Sequence, residues 1–322
     1  MTICTTVIPT VNRPTLERTV KSALEQDLGP ERHEILVFNN SDKPLPETDW
    51  LCSPQVRVIN SHSNVNDASN MGAEMASGKY VHFLHDDDYL LPGALNKLVD
   101  KAEASGSVWV CGAYNLVDDD NNFISKVDAD VKGNLFVLFV GGECVHLAAS
   151  VVNKDAFHQA GGFDLEIFGQ SDIDLESQLA LIGDFESIDQ TVAAVRVSGG
   201  QGKTHDWTSR TKLDFRKMRE KALNSNGALD RMMDSVQGKV FLRGRACRAY
   251  LISASLNALD SNFSLALRRL ASLVRLTSFY FVLPDFWRGL TYRSHWHNVQ
   301  KDEQEEHFRS HYPSEEAGFW RV

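Results

Sequence analysis

Between Thr2 and Val117 short apolar runs rich in β-branched residues alternate with helical patterns, and this alternation most constrains the fold. "TICTTVIP" (Thr2 to Pro9) has the composition of a buried strand and stops at a proline. "RPTLERTVKSALEQ" then sets Leu16, Val20 and Leu24 at four-residue intervals, with Pro14 near the first turn, as an amphipathic helix requires. "HEILVFNN" and "QVRVIN" predict two more strands, and "NDASNMGAEMAS" a short helix. "KYVHFLH" predicts a fourth strand, "LPGALNKLVDKAEAS" a helix after Pro92, and "SVWVCGAYNLV" a fifth strand. Such alternation implies an α/β fold: a mostly parallel sheet with helices on both faces.

Ligands of such sheets bind where the carboxyl ends of strands meet. Those ends are Pro9-Thr10, Asn39-Asn40-Ser41 and Asp86-Asp87-Asp88, so polar groups distant in sequence converge on one edge.

Further along, "VDDDNNFISKV" predicts a hairpin turn, and "HLAASVVNKDAFHQAGGFD" a strand, a helix from about Lys154 and a Gly-Gly break. "SDIDLESQLALIG" predicts a helix capped by Ser171, with Leu175, Leu179 and Ile182 facing inward and Gly183 ending it. "FESID" and "TVAAVRV" predict two strands, and the pattern is helical from about Trp207 onward. The expected organisation is an α/β domain over 1–205 and a helical region over 206–322.

The net charge of -10 argues against general nucleic-acid binding, but it is unevenly spread. From Lys239 to Arg293 nine Lys or Arg face only Asp260 and Asp285. The first residues resemble no secretion signal and no long uncharged apolar run occurs, so a cytoplasmic, non-spanning protein is expected. Five scattered cysteines, with no C-x-x-C pair, suggest neither a disulfide framework nor a zinc site.

Three adjacent carboxylates at a strand end repel one another and resist burial, and a divalent cation relieves both costs. Mg²⁺ or Mn²⁺ takes one or two carboxylates and completes its shell with water and substrate phosphates. The plainer reading is a solvated turn that caps the next helix.

"VIPTVNRPTLERTVKSALEQ", "EILVFNNSD", "NDASNMGAEMASGKYVHFLHDDDYLLP" and "AGGFDLEIFGQSDIDLESQLALIG" occur in the order and spacing of family 2 glycosyltransferases. The resemblance covers about residues 2–200 and implies the GT-A fold, with a helical extension after it. It implies that Pro9, Thr10 and Arg13 form the edge holding nucleotide base and ribose. Asn39 stands where the family usually has a base-contacting Asp, and Asn70 resembles a family Asn that follows an Ala-Arg pair, here Ala68-Ser69. In the acidic motif, aligned on Pro92, the first family Asp falls on His85 and the second on Asp87, with Asp88 after it. Slipped by one residue, Asp86 and Asp88 become the pair. The implied metal ligands are Asp87 and Asp88, with Asp86 near the ribose or a metal-bound water. His85 is a further candidate, although a strand-end His is more often structural.

The family's catalytic base matches Asp172, downstream of Gly161-Gly162-Phe163-Asp164, with Ser171 where the family has Glu. The competing reading is helix N-terminal chemistry, which suffices for Asp174. Asp164 is either a turn former or an acceptor contact. In "VRVSGGQGKTHD", Arg196, Lys203 and His205 are candidate cations or a further ligand on a glycine-rich loop able to act as a lid.

The tail "FSLALRRLASLVRLTSFYFVLPDFWRGLTYRSHW" mixes Arg268, Arg269, Arg275, Arg288 and Arg293 with Phe279, Tyr280, Phe281, Phe286 and Trp287. This suits a helix on an anionic membrane surface, and equally a helical subdomain packed on the catalytic domain or on a second copy in a homodimer. The leading expectation is an inverting hexosyltransferase-type enzyme that depends on Mn²⁺ or Mg²⁺. It would move a sugar from a nucleotide-diphospho-sugar to a glycan or lipid-linked acceptor, with no nucleic-acid partner, in surface polysaccharide or glycolipid synthesis. The alternative is a catalytically silent protein that binds nucleotide-sugar and metal.

Overall fold

The computed structural model describes residues 2–129, 131–167, 169–197 and 209–292. Strands β1 (Cys4–Thr10), β2 (His33–Asn39) and β3 (Val56–Asn60) pair in parallel, with Thr10 opposite Asn39 and Asn39 opposite Asn60. Helices α1 (Leu16–Leu24) and α2 (Val65–Met75) connect them and lead to β4 (Tyr80–Phe83), which is parallel to β1 on its other side. Every residue of β1 is buried because helices cover both of its faces. Gly78, just before β4, is required there: a Cβ would stand 2.7 Å from the Cys4 carbonyl carbon and the Thr5 nitrogen. In α1 the buried stripe is Leu16, Val20 and Ala23, and Leu24 lies half-buried beside it. Asn64 caps α2, accepting from the amides of Asn66 (2.9 Å) and Asp67 (3.1 Å).

The two-residue β5 (Tyr89–Leu90), α3 (Ala94–Ser105), β6 (Trp109–Val117), β7 (Phe123–Val127), α4 (Phe136–Val140), β8 (Ser150–Asn153), α5 (Lys154–Ala160), α6 (Ser171–Ile182) and β9 (Phe185–Arg196) follow. The strand order is β3-β2-β1-β4-β8-β6-β9-β5, with β7 on β6. The sheet is mixed: β8 runs antiparallel between β4 and β6, while β6 and β9 are parallel. β9 is one strand where the sequence predicts two. Its polar middle, Asp189 and Gln190, is absorbed as register shifts against Gly112 and Ala113. A Cβ on Gly112 would stand 2.8 Å from Val192, so the bulge needs glycine there.

One core lies under α1 and α3, and the second under α2, α4, α5 and α6. The later helices α7 (Ser209–Asn224), α8 (Ala228–Ser235), α9 (Val240–Leu259), α10 (Phe263–Thr277) and α11 (Pro284–Thr291) extend that second core. Met218, Ala222, Met232, Cys247, Tyr250, Leu276 and Phe286 all join it. Helices α9 and α11 pack glycine to backbone: a Cβ on Gly244 would collide with the Phe286 carbonyl, and one on Gly289 with that of Phe241. Among the described residues no helix is long and apolar enough to cross a membrane.

Candidate active site at the strand ends

Parallel pairing of β1 with β2 and β4 brings Thr10, Asn39 and the acidic triplet to one edge. The three aspartates then diverge. Asp86, buried, accepts from the Thr10 hydroxyl (2.7 Å) and the Val11 amide (3.2 Å), and Arg13 approaches its other oxygen (3.3 Å). Asp87, half-buried, pairs with Arg13. Asp88, 3% exposed, accepts from the Arg196 amide at 2.9 Å. Burial, and then the neighbouring Asp87 charge, holds its carboxyl well above the ordinary value.

One face of α1 fixes this backbone. The Thr15 hydroxyl donates to the Asp86 carbonyl (2.6 Å), Arg18 to that of Asp87 (3.3 Å) and Thr19 to that of Asp88 (2.7 Å). Residues spaced i, i+3 and i+4 share a helix face, so three successive carbonyls are held by one rigid element. Arg18 also lies over the Tyr89 ring, 4.4 Å from its centroid. Sequence reading missed this clamp, although the spacing of Thr15, Arg18 and Thr19 was its visible signal.

His85, Asp87 and Asp88 each offer a ligand atom within 4.8 Å of the others. This one-nitrogen, two-carboxylate set suits Mg²⁺ or Mn²⁺, and the buried, charge-disfavoured Asp88 is the kind of group a cation would stabilise. Asp86 lies outside this set and faces the β1 edge with Thr10 and Arg13.

Asp172 lies in the first turn of α6, one oxygen accepting the Ile173 amide at 2.9 Å. Burial raises its pKa, against the opposing pull of the backbone hydrogen bonds and, more weakly, of the nearby His85. Ser171 does not cap this helix: its hydroxyl donates to the Asn66 side chain at 3.1 Å, and Gln170 occupies the cap position without a side-chain bond. Four residues after Asp172, Glu176 is fully buried, with one oxygen on the Val145 amide (3.0 Å) and the other without a partner. Burial, and then Asp172, pushes its carboxyl well above the ordinary range. Asp174 is fully buried too and pairs with Lys221 of α7 at 2.7 Å. Lys221 also holds Asp164 at 2.7 Å, and Asp214 of α7 accepts from the Gly169 amide at 3.1 Å. The loop before α6 is thus tied to the helical region by residues that carried no sequence signal.

Several expected contacts differ. The Asn39 amide is saturated within its own loop: its nitrogen donates to the Lys43 carbonyl (2.9 Å) and Asn60 (3.2 Å), and its oxygen accepts from the Ser41 amide (3.1 Å) and hydroxyl (2.7 Å). These contacts brace the loop after β2 against β3. Asn70 brackets the Phe163 backbone, donating to its carbonyl and accepting from its amide, both at 2.8 Å. It therefore joins α2 to the Gly-Gly-Phe-Asp loop. Asp164 is both turn former and ion partner, accepting the Glu166 amide at 2.9 Å. The Arg196 guanidinium pairs with Asp119 at 2.7 Å, across the β6–β7 turn. Pro9 lies buried at the end of β1. Lys203 and His205 fall outside the described residues.

Residues 5–157 match the model of Glycosyl transferase family 2. A β-1,3-glucosyltransferase from Campylobacter jejuni, named for the substrate GalNAc(5)-diNAcBac-PP-undecaprenol, is 38% identical over 104 residues, 30% of this chain and 33% of that protein. The poly(ribitol-phosphate) β-N-acetylglucosaminyltransferase TarP of Staphylococcus aureus is 27% identical over 153 residues, 45% of this chain and 46% of that one. The matched stretch of the first of these spans 33% of its length, and 28% of an uncharacterized glycosyltransferase from Rickettsia bellii. Among solved structures, S. aureus TarS in complex with UDP-GlcNAc superposes with a TM-score of 0.56 at 13% identity, covering 91% of this chain and 93% of that one. The same protein with UDP gives 0.52 at 14% identity, covering 94% and 97%. At that identity the likeness establishes the fold.

Proposed function

We propose, from the match of residues 5–157 to glycosyl transferase family 2, that this chain transfers a sugar from a nucleotide-diphospho-sugar to an acceptor hydroxyl. The observation that carries the reading is the meeting of two chemistries at one strand edge: the His85, Asp87 and Asp88 group within 4.8 Å of one another, and Asp172 in the first turn of α6 near His85. The TarS complexes with UDP and UDP-GlcNAc support a nucleotide-sugar as the donor class. The undecaprenol-linked substrate in the Campylobacter relative's name supports a glycan on a lipid carrier as the acceptor class.

In this proposal Asp172 takes the proton from the acceptor hydroxyl as its oxygen attacks the anomeric carbon opposite the nucleotide, and one displacement inverts the configuration. The raised pKa of Asp172 brings it nearer the working range of a general base. Pro9, Thr10 and Arg13 flank the nucleotide edge, with Asp86 fixed against them. His85, Asp87 and Asp88 would hold Mg²⁺ or Mn²⁺, which supplies charge neutralisation for the departing diphosphate. The α1 clamp positions these carboxylates, and the contacts of Lys221 and Asp214 position the loop before Asp172. Residues 1–205 are the catalytic unit in this reading and 206–322 its helical extension.

Arg13 favours a second reading. It pairs with both Asp86 and Asp87, an arrangement suited to a protein that binds nucleotide-sugar and does not turn it over. A thermal-shift series with UDP-, GDP- and dTDP-sugars, with and without Mn²⁺, separates the readings when followed by a transfer assay. A donor at 100 times its Kd stabilises by about 2.7 kcal/mol. Binding followed by Asp172-dependent transfer supports the enzyme, whereas tight binding without hydrolysis or transfer to any acceptor supports the silent protein. Transfer indifferent to both chelator and Asp172→Asn refutes the mechanism.

A further inference from the structure

The helical extension leaves an apolar surface uncovered. On α10, Phe263, Leu267, Leu270 and Val274 follow at intervals of four, three and four and so lie on one stripe. All four are exposed, Leu267 at 66% and Val274 at 72%. A different side of the helix, at Ala266, Arg269 and Leu276, is the one packed inward. After α10 the exposed run continues through Phe279 (84%), Phe281, Val282 and Leu283 to Trp287 of α11. Monomeric soluble proteins seldom expose so many large apolar side chains together, and such patches mark interaction sites.

The charges around the stripe say what covers it. Arg268 and Arg275 are exposed on α10, and Arg288 is exposed on α11. From Phe263 to Tyr292 the only acidic residue is Asp285, and it is paired with Arg288 at 2.9 Å. Arg269 does not contribute, because it is buried against the Leu223 carbonyl (2.8 Å), the Asn224 side chain (2.7 Å) and Glu220 (3.3 Å). Nor do Phe286, which is in the core, or Tyr280, which lies under Arg243. What remains outside, among the described residues, is Phe, Trp, Leu and Val beside Arg268 and Arg275, which have no ion pair there, on a chain whose net charge is -10. A two-fold contact between two copies through this face would set arginine against arginine, with no unpaired carboxylate among its described residues to answer them. An anionic lipid surface answers both features: acyl chains take the aromatic and aliphatic side chains, and headgroup phosphates take Arg268 and Arg275.

We propose that the exposed face of α10 and the segment from Phe279 to Trp287 docks the protein on an anionic membrane surface. The contact is peripheral, since none of the described helices is long and apolar enough to cross a membrane. It stands apart from the glycosyl-transfer reading, because vesicle binding can be measured on a protein with no activity at all.

The test uses the full chain in co-sedimentation with vesicles of phosphatidylcholine alone or with phosphatidylglycerol, at low and high salt. Removing α10 and α11 is the wrong perturbation, as Leu276 and Phe286 belong to the core. Substitutions at exposed positions leave the fold intact and are checked by unchanged melting temperature. Binding to the anionic vesicles is expected, weakening with salt. Arg268→Gln with Arg275→Gln should weaken it by roughly fivefold per arginine, the usual worth of a basic residue near such a surface. Leu267→Gln with Val274→Gln and Phe279→Gln should abolish it even at low salt. No binding to anionic vesicles, or binding that ignores both sets of variants, overturns the proposal. So does a dimer in solution that the apolar variants dissociate while vesicle binding is absent, since the face would then belong to a second copy.

Discussion

Lys221 offers the sharpest test of how the helical region supports the site. Its ammonium is 2.7 Å from Asp174 and 2.7 Å from Asp164, and the Asp174 side chain is fully buried, with its second oxygen lacking any partner. Burial pulls the pKa of Lys221 down, but the hydrogen bonds to Asp164 and Asp174 outweigh it and the net shift is upward. Lys221→Met leaves Asp174 as a buried carboxylate with no counter-charge. Breaking a buried pair from one side costs about 3–5 kcal/mol. The sign of the pH dependence follows. Burial already raises the Asp174 pKa, and losing Lys221 raises it further above the unfolded value. The variant's deficit should therefore be smallest near about pH 4, where the carboxyl is protonated, and should grow towards about pH 7. Urea unfolding across that range, monitored by circular dichroism, measures it. Adding Asp174→Asn to Lys221→Met should recover more than about 1 kcal/mol of the loss near neutrality, as coupled neighbours do. A deficit below about 1 kcal/mol, one flat in pH, or strict additivity of the two substitutions would refute the reasoning.

Three further outcomes are expected. Asp172→Asn should lower transfer by roughly 10²–10⁴ while leaving donor affinity unchanged, and a variant that keeps its turnover removes Asp172 from the mechanism. Calorimetric titration with Mn²⁺ should show binding lost in Asp87→Asn and Asp88→Asn, weakened in His85→Ala and kept in Asp86→Asn; loss confined to the Asp86 and Asp88 variants would put the metal in the other register. Burial, with the neighbouring imidazole, pushes His33 down to about 3, and burial pushes His82 down to about 4, both from 6.5. Folded-state values below the unfolded ones mean that stability is lost as pH falls from about 6.5 towards about 3 for His33 and about 4 for His82, on the order of 3–5 kcal/mol for each group. Melting temperature against pH should show this fall, flattened in a His33→Gln, His82→Gln variant, and an unchanged profile in that variant would exclude the histidines as its cause.

The strand and helix alternation over the first third of the chain was legible because period and turn residues are local properties. So was the convergence of β1, β2 and β4, since parallel strands joined by crossover helices present their carboxyl ends together. The hairpin at Asp118 to Asn122 was legible for the same local reason. The antiparallel insertion of β8 was not, because a four-residue strand carries no mark of direction and its partners are set by the space between β4 and β6.

At the site, sequence alone brought the acidic triplet and Asp172 forward as residue types in a pattern. It left open which aspartate faces where, because three adjacent carboxylates are chemically identical until the chain around them is folded. Tertiary structure separates them: Thr10 takes Asp86, Arg13 bridges Asp86 and Asp87, the Arg196 amide takes Asp88, and Asp87 and Asp88 lie beside His85. It also decided that Asn39 and Asn70 spend their hydrogen-bonding atoms on backbone and loop, and that Lys221 reaches across from α7 to Asp164 and Asp174. In the tail, composition announced arginines and aromatics, while packing divided them: Arg269 and Phe286 go inward, and Arg268, Arg275, Phe279 and Trp287 stay outside. Local periodicity is written in neighbouring residues, whereas a side chain's partner is set by whichever distant segment the fold brings within about 3 Å of it.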